Sequence, residues 1–335
     1  MNQISSISES ELIKRLHNII IENTSPDSTS ENIDMGIGDD AAIVNPIKNK
    51  NVVTTDTMVE NTHFIYDVTN FRNLGWKLLA TNYSDIAAMG CRPLHSVINL
   101  GLRENQKISD VEEMYLGFCD LINEFGGAII GGDIVRSDTF FISITVTGVS
   151  EGNIILTRKK AKIGDEIFVT GNLGNSKVGL EIILNSPDHI TSDNNKSFIE
   201  AHTRPTPKIQ QGLDLVRACI TTAMDISDGL LNDLKKMCDS SDVGAEIYIE
   251  SIPVDKHLKN MYPEKWDEKV VQGGEDYELL FTASSDSINI LNDISESEFF
   301  SIGKVTEKSS GIKIIDSNGK TKTYNEVGWD HFKGK

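Results

Sequence analysis

The chain lacks several features that would each have marked a function class. Its 335 residues hold four cysteines, Cys91, Cys119, Cys219 and Cys238, far apart and with no CxxC pair. That argues against a disulfide framework or a thiolate zinc site and suits reduced, buried thiols in a cytosolic protein. No block of basic residues occurs, and 32 Lys and Arg stand against 50 Asp and Glu, a formal net charge of −18. A nucleic-acid binder needs a positive footprint, so that class is set aside. No apolar run is long enough to span a bilayer, and the opening MNQISSISESELIKRL has no apolar core suited to a signal peptide. The expectation is a soluble, cytoplasmic protein. HExxH, GxSxG and the kinase catalytic loop are missing too, so any phosphate chemistry must use a less common scaffold.

Two glycine motifs are decoys. Gly36-Ile37-Gly38-Asp39-Asp40-Ala41 loosely matches a dinucleotide fingerprint, with Asp56 at a plausible ribose distance. No strand is expected before Gly36, however, and Ala42-Ile43-Val44 runs toward Pro46 rather than into a helix. Gly319-Lys320-Thr321 ends like a P-loop, but Ile314 stands where the first glycine belongs.

What is present is a set of aspartates beside Gly, Ser or Thr. They are Asp39 and Asp40 in GIGDDAA, Asp56 in TTDT, Asp85 in YSDIAAMG, Asp133 in IGGDIVRSD, and Asp225 and Asp228 in MDISDGL. Their neighbours are alanine, isoleucine and methionine, where an unpaired carboxylate is costly. The sequence nearby is poor in Lys and Arg, so a divalent ion holding a phosphate is the simplest partner, and Mg²⁺ favours a few carboxylates plus substrate phosphates.

Periodicity gives a mixed α/β (α+β) class over two domains, with a boundary near residues 149–156. Ser8 and Glu11 form a capping box before an apolar stripe of Leu12, Ile13, Leu16, Ile19 and Ile20. Residues 52–55 read as a short strand delivering Asp56 at its end, and 74–89 as a helix closed by Gly90, with Asp85 inside it. A strand is expected over 95–102. A second box, Ser109 and Glu112, opens a helix carrying Val111, Met114, Tyr115, Phe118, Leu121, Ile122 and Phe125. Strands follow over 128–130 and 140–148. Beyond the boundary come a strand at 167–170, a helix from Ser176 and a polar loop over 185–196. Pro207 suits the first turn of another helix, and a strand over 223–226 feeds Ser227-Asp228-Gly229 and a helix to Cys238. The Ser317-Asn318-Gly319 turn marks a hairpin.

Taken in order, GIGDDAAIV, TTDTMVENTHF, NYSDIAAMG, IIGGDIVRSD, LTRKKAKIGD, AMDISDGLLNDL, GGEDYELLFT and the terminal GWDHF resemble the thiamine-monophosphate kinase family over nearly the whole chain. The wider group is the aminoimidazole-ribonucleotide synthetase-like superfamily. The resemblance implies an N-terminal ATP- and metal-binding domain (1–150) whose sheet pairs across a homodimer, and a C-terminal α/β domain (151–335) that helps close the cleft. It implies ATP-dependent phosphorylation of thiamine monophosphate to thiamine diphosphate, by direct transfer assisted by several Mg²⁺ ions. On matching positions, Asp40, Thr54, Thr55, Asp56, Asp85, Asp133, Asp225 and Asp228 would be metal ligands. Tyr115, Gly132, Asp133, Arg158 and Ser227 would contact ATP, and His63, Glu275 and Trp329 the thiamine phosphate. Asn61-Thr62 departs from the family, which commonly shows glycine and a small apolar residue there. From the residues alone, Tyr115 lies on an apolar stripe and reads as core, and Asp228 reads equally as a helix cap.

The alternatives are another ATP-dependent enzyme of the superfamily, such as an aminoimidazole-ribonucleotide synthetase, and a non-catalytic nucleotide sensor. Selenophosphate synthetase would need a reactive residue near the N-terminus, whereas the first cysteine here is Cys91. The acceptor is a phosphate monoester with a second pKa near 6, mostly dianionic at neutral pH, so no general base is required. That fits the absence of a nucleophile–base pair.

Overall fold

Ser8 caps the first helix, α1 (Glu9–Asn23), by accepting the Glu11 backbone N–H at 3.2 Å. Only half of the expected box forms, because the Glu11 carboxylate turns to Arg15 Nε at 3.1 Å. The buried stripe is also narrower than the sequence suggests: Leu12, Leu16 and Ile20 are covered while Ile13 is exposed. These are features of a computed structural model that describes residues 3–25, 32–39, 41–185 and 195–324.

The chain divides into two compact units, Met1–Ile86 with Cys91–Asn153, and Ala87–Gly90 with Ile154–Lys335. In the first, β1 (Ile33–Met35) and β2 (Ile43–Val44) make a small antiparallel pair. A four-stranded mixed sheet follows from β3 (Asn51–Val59), β4 (Cys91–Leu102), β5 (Ala128–Arg136) and β6 (Phe141–Ser150), in the order β3-β6-β4-β5. Only β4 and β5 run parallel, joined through α3 (Ile108–Phe125). One face buries Ile98, Leu100, Ile142, Ile144 and Val146; α2 (Phe71–Ala88) meets this face, and α1 packs on α3.

Several boundaries differ from the sequence reading. Strand β3 extends to Val59, which puts Asp56 in its middle rather than at its end. Strand β5 continues through Gly131-Gly132-Asp133, because a side chain at Gly132 would lie 2.0 Å from the Ile98 carbonyl oxygen and glycine alone permits that approach. The second capping box does not form: α3 begins at Ile108 with Lys107 before it, so Ser109 is already helical and its hydroxyl lies 3.5 Å from Asp110.

The second unit carries a seven-stranded sheet from β7 (Glu166–Val169), β8 (Thr222–Asp225), β9 (Gly244–Tyr248), β10 (Leu279–Ala283), β11 (Phe300–Thr306), β12 (Ile312–Ile315) and β13 (Thr321–Lys322). Its order is β13-β12-β9-β11-β7-β10-β8, antiparallel throughout except β12 with β9. The β12–β13 pair is the expected hairpin. Helices α4 (Asn175–Asn185), α5 (Lys196–Thr203), α6 (Ile209–Arg217), α7 (Leu230–Ser241), α8 (Lys256–Met261), α9 (Trp266–Gln272) and α10 (Ser285–Ile294) complete the unit. Lys196 opens α5, which the polar-loop reading missed; residues 186–194 of that stretch lie outside the described residues. Pro207 stands two residues before α6, not in its first turn. Met224, Ile226, Leu230, Leu234 and Met237 bury the β8–α7 passage in one core with Ile167, Val169 and Leu280, which fixes the residues between strand and helix. Among the described residues no helix is long and apolar enough to cross a membrane.

Candidate active site

In β3, residues 52, 54, 56 and 58 face the helices and 51, 53, 55 and 57 face outward, the alternation a pleated strand imposes. Thr54 and Asp56 therefore share the inner face with Asp85, the half-buried acidic residue of an otherwise largely buried helix α2. Thr54 Oγ1 donates to Asp85 Oδ2 at 2.5 Å. Burial and then the Asp85 carboxylate push Asp56 from 3.8 up to about 6, both acting against its ionisation. Two hard-oxygen carboxylates near enough for one to raise the other's pKa, with a hydroxyl on one of them, fit a Mg²⁺ ion by donor chemistry. Among the described residues no group of three or more His, Cys, Asp or Glu is arranged to hold a metal. Asp40, the further carboxylate expected from the GDD motif, lies outside the described residues.

The same sheet separates other expected ligands. Pairing sets Asp56 beside Ile144, Ile98 and Gly132, whereas Thr57, Ser143, Asn99 and Asp133 form the next rung, on the opposite face. Thr55 also points outward, its hydroxyl donating to the Ile144 carbonyl at 3.0 Å and accepting from Thr145 at 3.2 Å. Asp56 and Asp133 thus lie three strand spacings apart, about 14 Å, on opposite faces, and their side chains do not share an ion within one copy of the sheet. Tyr115 sits in the core against Phe118, with ring centroids 5.2 Å apart, and burial pushes its phenol up.

His63 stands in a tight loop after β3. The Val59 N–H donates to its Nδ1 at 3.0 Å, so Nε2 is the ring atom left to carry hydrogen in the neutral form. Asn61 has φ 65°, a left-handed conformation that glycine adopts freely and asparagine tolerates.

In the second unit, β8 ends at the buried Asp225 and the chain turns through Ile226-Ser227-Asp228-Gly229 into α7. Asp233, fully buried on α7, fixes that turn: its Oδ2 accepts the N–H groups of Ser227 at 3.0 Å and Asp228 at 2.9 Å. Those two amides are thereby engaged, leaving the Ser227 hydroxyl for any ligand contact. Lys236, one turn further, reaches Asp228 Oδ2 at 2.5 Å and Asp233 Oδ1 at 2.7 Å. Burial lowers the Lys236 pKa, but its two carboxylate partners outweigh this and the net shift is upward. The sequence does contain a cation for Asp228, one placed by helical geometry rather than adjacency.

The Gly273–Glu278 segment lies against the same turn. Gly274 approaches the Ser227 carbonyl so closely that a side chain there would come within 2.6 Å, and the Glu275 N–H donates to that carbonyl at 2.8 Å. Glu275 and Tyr277 are both left-handed, with φ of 64° and 52°, strain that non-glycine residues rarely carry. The Glu275 carboxylate lies 3.4 Å from His202 Nδ1, which is 3.1 Å from the Ser176 hydroxyl. Asp276 accepts N–H groups from Gly174 at 2.7 Å and Ser176 at 3.2 Å; burial nevertheless pushes it up to about 7, with Glu278 and Glu275 adding to the rise. Arg158 is exposed, and Trp329 lies outside the described residues. Asp233, Lys236, His202 and Asp276 were not singled out from sequence. The first two were legible as an i,i+3 helical pair; the others needed the fold.

Two family models match most of the chain: AIR synthase related protein, N-terminal domain, over residues 38–150, and AIR synthase related protein, C-terminal domain, over residues 162–315. The thiamine-monophosphate kinase of Buchnera aphidicola subsp. Acyrthosiphon pisum (strain APS) is 35% identical over 303 residues, spanning 89% of this chain and 92% of that protein. Thiamine-monophosphate kinase from Stenotrophomonas maltophilia K279a superposes with a TM-score of 0.81 at 33% identity, over 94% of this chain and 98% of that one. AaThiL complexed with AMPPCP and TMP gives a TM-score of 0.76 at 32% identity, with 99% of each chain covered.

Proposed function

The chain belongs to the thiamine-monophosphate kinase family, and from that premise we propose that it moves the γ-phosphate of ATP onto thiamine monophosphate in one in-line step assisted by Mg²⁺. The observation that carries this reading is the match across almost the full chain to AaThiL complexed with an ATP analogue, AMPPCP, and TMP. The coarse activity, ATP-dependent phosphorylation of thiamine monophosphate, follows from the family.

The difficulty is electrostatic. A phosphate monoester is already mostly dianionic at neutral pH, and it must approach an anionic triphosphate. The chain therefore needs to neutralise and align rather than to supply a base. Asp56 and Asp85, steadied by Thr54, are the supported pair for Mg²⁺. Asp40, Asp225 and Asp228 are assigned as further ligands, whereas the Thr55 and Asp133 side chains turn to the outer face and any ion they hold is a separate one. When bound, Mg²⁺ offsets phosphate charge and fixes oxygen geometry. Ser227, Gly132 and Arg158 are assigned to ATP, and an exposed guanidinium suits bidentate phosphate recognition. His63 orients the acceptor phosphate through Nε2, and Glu275 faces the thiamine cation. We further take the enzyme to act in the cytoplasm as a homodimer, pairing over the outer face of the first sheet, where Val53 is 68% exposed. Sedimentation equilibrium of the wild type and Val53→Lys tests the pairing: a wild-type monomer would remove it.

The test of function is a coupled assay with ATP, Mg²⁺ and a panel of acceptors. ADP release with thiamine monophosphate, and not with formylglycinamidine ribonucleotide or without acceptor, is expected. Release with the ribonucleotide would favour the aminoimidazole-ribonucleotide synthetase reading, and ATP binding without acceptor-dependent turnover would favour a sensor.

A further inference from the structure

The acidic motifs require something positive beside each aspartate, and at the Ser227–Asp228 turn the protein supplies it from its own helix. Lys236 Nζ lies 2.5 Å from Asp228 Oδ2 and 2.7 Å from Asp233 Oδ1. Asp233 is fully buried and its other oxygen is taken by two backbone N–H groups. Withdrawing Lys236 would leave a buried carboxylate without a counter-charge, which is strongly unfavourable. The lysine is thus anchored from the Asp233 side and is not a mobile surface cation. Asn232 Nδ2 lies 3.5 Å from the same Asp228 Oδ2, while Oδ1 has no such partner among the described residues.

We propose that Lys236 is a resident cation of the nucleotide site: it permanently occupies Oδ2 of Asp228 and limits that carboxylate to offering a divalent ion one oxygen. The consequence is order of assembly. A single oxygen next to a fixed ammonium is a poor site on its own, so the ion at Asp228 binds together with nucleotide phosphates rather than ahead of them. The inference rests on the assignment of Asp228 as a metal ligand, and its test separates the two.

Mn²⁺ alone is titrated into the nucleotide-free full chain and free ion is read by electron paramagnetic resonance. Lys236→Gln is expected to tighten one Mn²⁺ site about tenfold, because a positive charge beside the ligand is gone. Lys236→Arg should leave it as in wild type, and Asp228→Asn added to Lys236→Gln should abolish the gain. Should Lys236→Gln fail to fold, the paired Asp233→Asn, Lys236→Met variant carries the test. It removes both charges together and keeps a carbonyl acceptor for the Ser227 and Asp228 amides, and the same tightening is expected. Wild-type Mn²⁺ binding in the folded charge-removing variants, with Asp228→Asn still losing a site, would overturn the role of Lys236 while leaving Asp228 a ligand. No effect of Asp228→Asn in any background would overturn the assignment of Asp228 and the inference with it.

Discussion

Thr54 on β3 and Asp85 on α2 are joined by a 2.5 Å hydrogen bond from the hydroxyl to Asp85 Oδ2, which holds the helix carboxylate on the face that carries Asp56. The threonine is thus a positioning residue as well as a suggested ligand. Thr54→Val keeps shape and removes the bond. It should cost about 1 kcal/mol of stability in urea unfolding and raise the Mg²⁺ concentration needed for half-maximal turnover severalfold. An unchanged Mg²⁺ dependence would remove Thr54 from the metal site.

Asp56→Asn separates catalysis from folding. Turnover should fall by about three orders of magnitude, in line with the loss of a transition-state electrostatic contact. Metal-free stability should hold or rise. The folded pKa is about 6 against 3.8 for the ordinary carboxyl, so ionisation penalises the native state increasingly as pH rises from about 4 to 6. The amide escapes that penalty, and its advantage in metal-free thermal unfolding should be larger at pH 8 than at pH 4. Near wild-type turnover in the purified variant would end the metal-cradle assignment.

Glu275 adopts φ 64° where its backbone N–H meets the Ser227 carbonyl, and its carboxylate lies 3.4 Å from His202 Nδ1. Glycine relieves that backbone strain at no steric cost, so Glu275→Gly should retain stability or gain up to about 1 kcal/mol. It should raise KM for thiamine monophosphate about tenfold or more, with the KM for ATP little changed. A loss of stability with both constants intact would make Glu275 a structural residue.

Asp276 supplies a pH signature. Its native pKa of about 7 exceeds the ordinary 3.8, so the native state holds the proton more tightly. Stability from this residue is fully present below about pH 4 and is lost as pH rises through 7. Partial exposure moderates the penalty to about 2 kcal/mol. Asp276→Asn loses one acceptor for the Gly174 and Ser176 amides, so it should be less stable than wild type at pH 4.5. The gap should narrow by pH 7.5. A constant gap across urea unfolding at both pH values would refute the shift.

Much of this was readable in the chain. The TTDT block marked the strand residues that meet Asp85 and the SDG block the strand-to-helix turn at Asp228, and the stripe from Val111 to Ile122 specified the buried face of α3. Element ends were less legible where tertiary contacts set them. Glycines that ordinarily end strands let β5 run on past Gly132, because they permit close backbone approach to Ile98. The opposite facing of Asp56 and Asp133 depends on strand order and register, which short apolar runs do not encode. The Lys236–Asp228 contact is less legible than the i,i+3 pair with Asp233, because eight residues separate the two in sequence and only two helical turns bring the ammonium to that carboxylate.

The central claim is that phosphate passes directly between two anions, with no phosphorylated protein intermediate. The stereochemical course at the γ-phosphorus tests it: isotopically chiral [γ-thio]ATP is turned over with thiamine monophosphate and the configuration of the product is determined. A single in-line transfer inverts the centre, as the account requires. Retention would demand two successive displacements through a residue of the protein, and would contradict it.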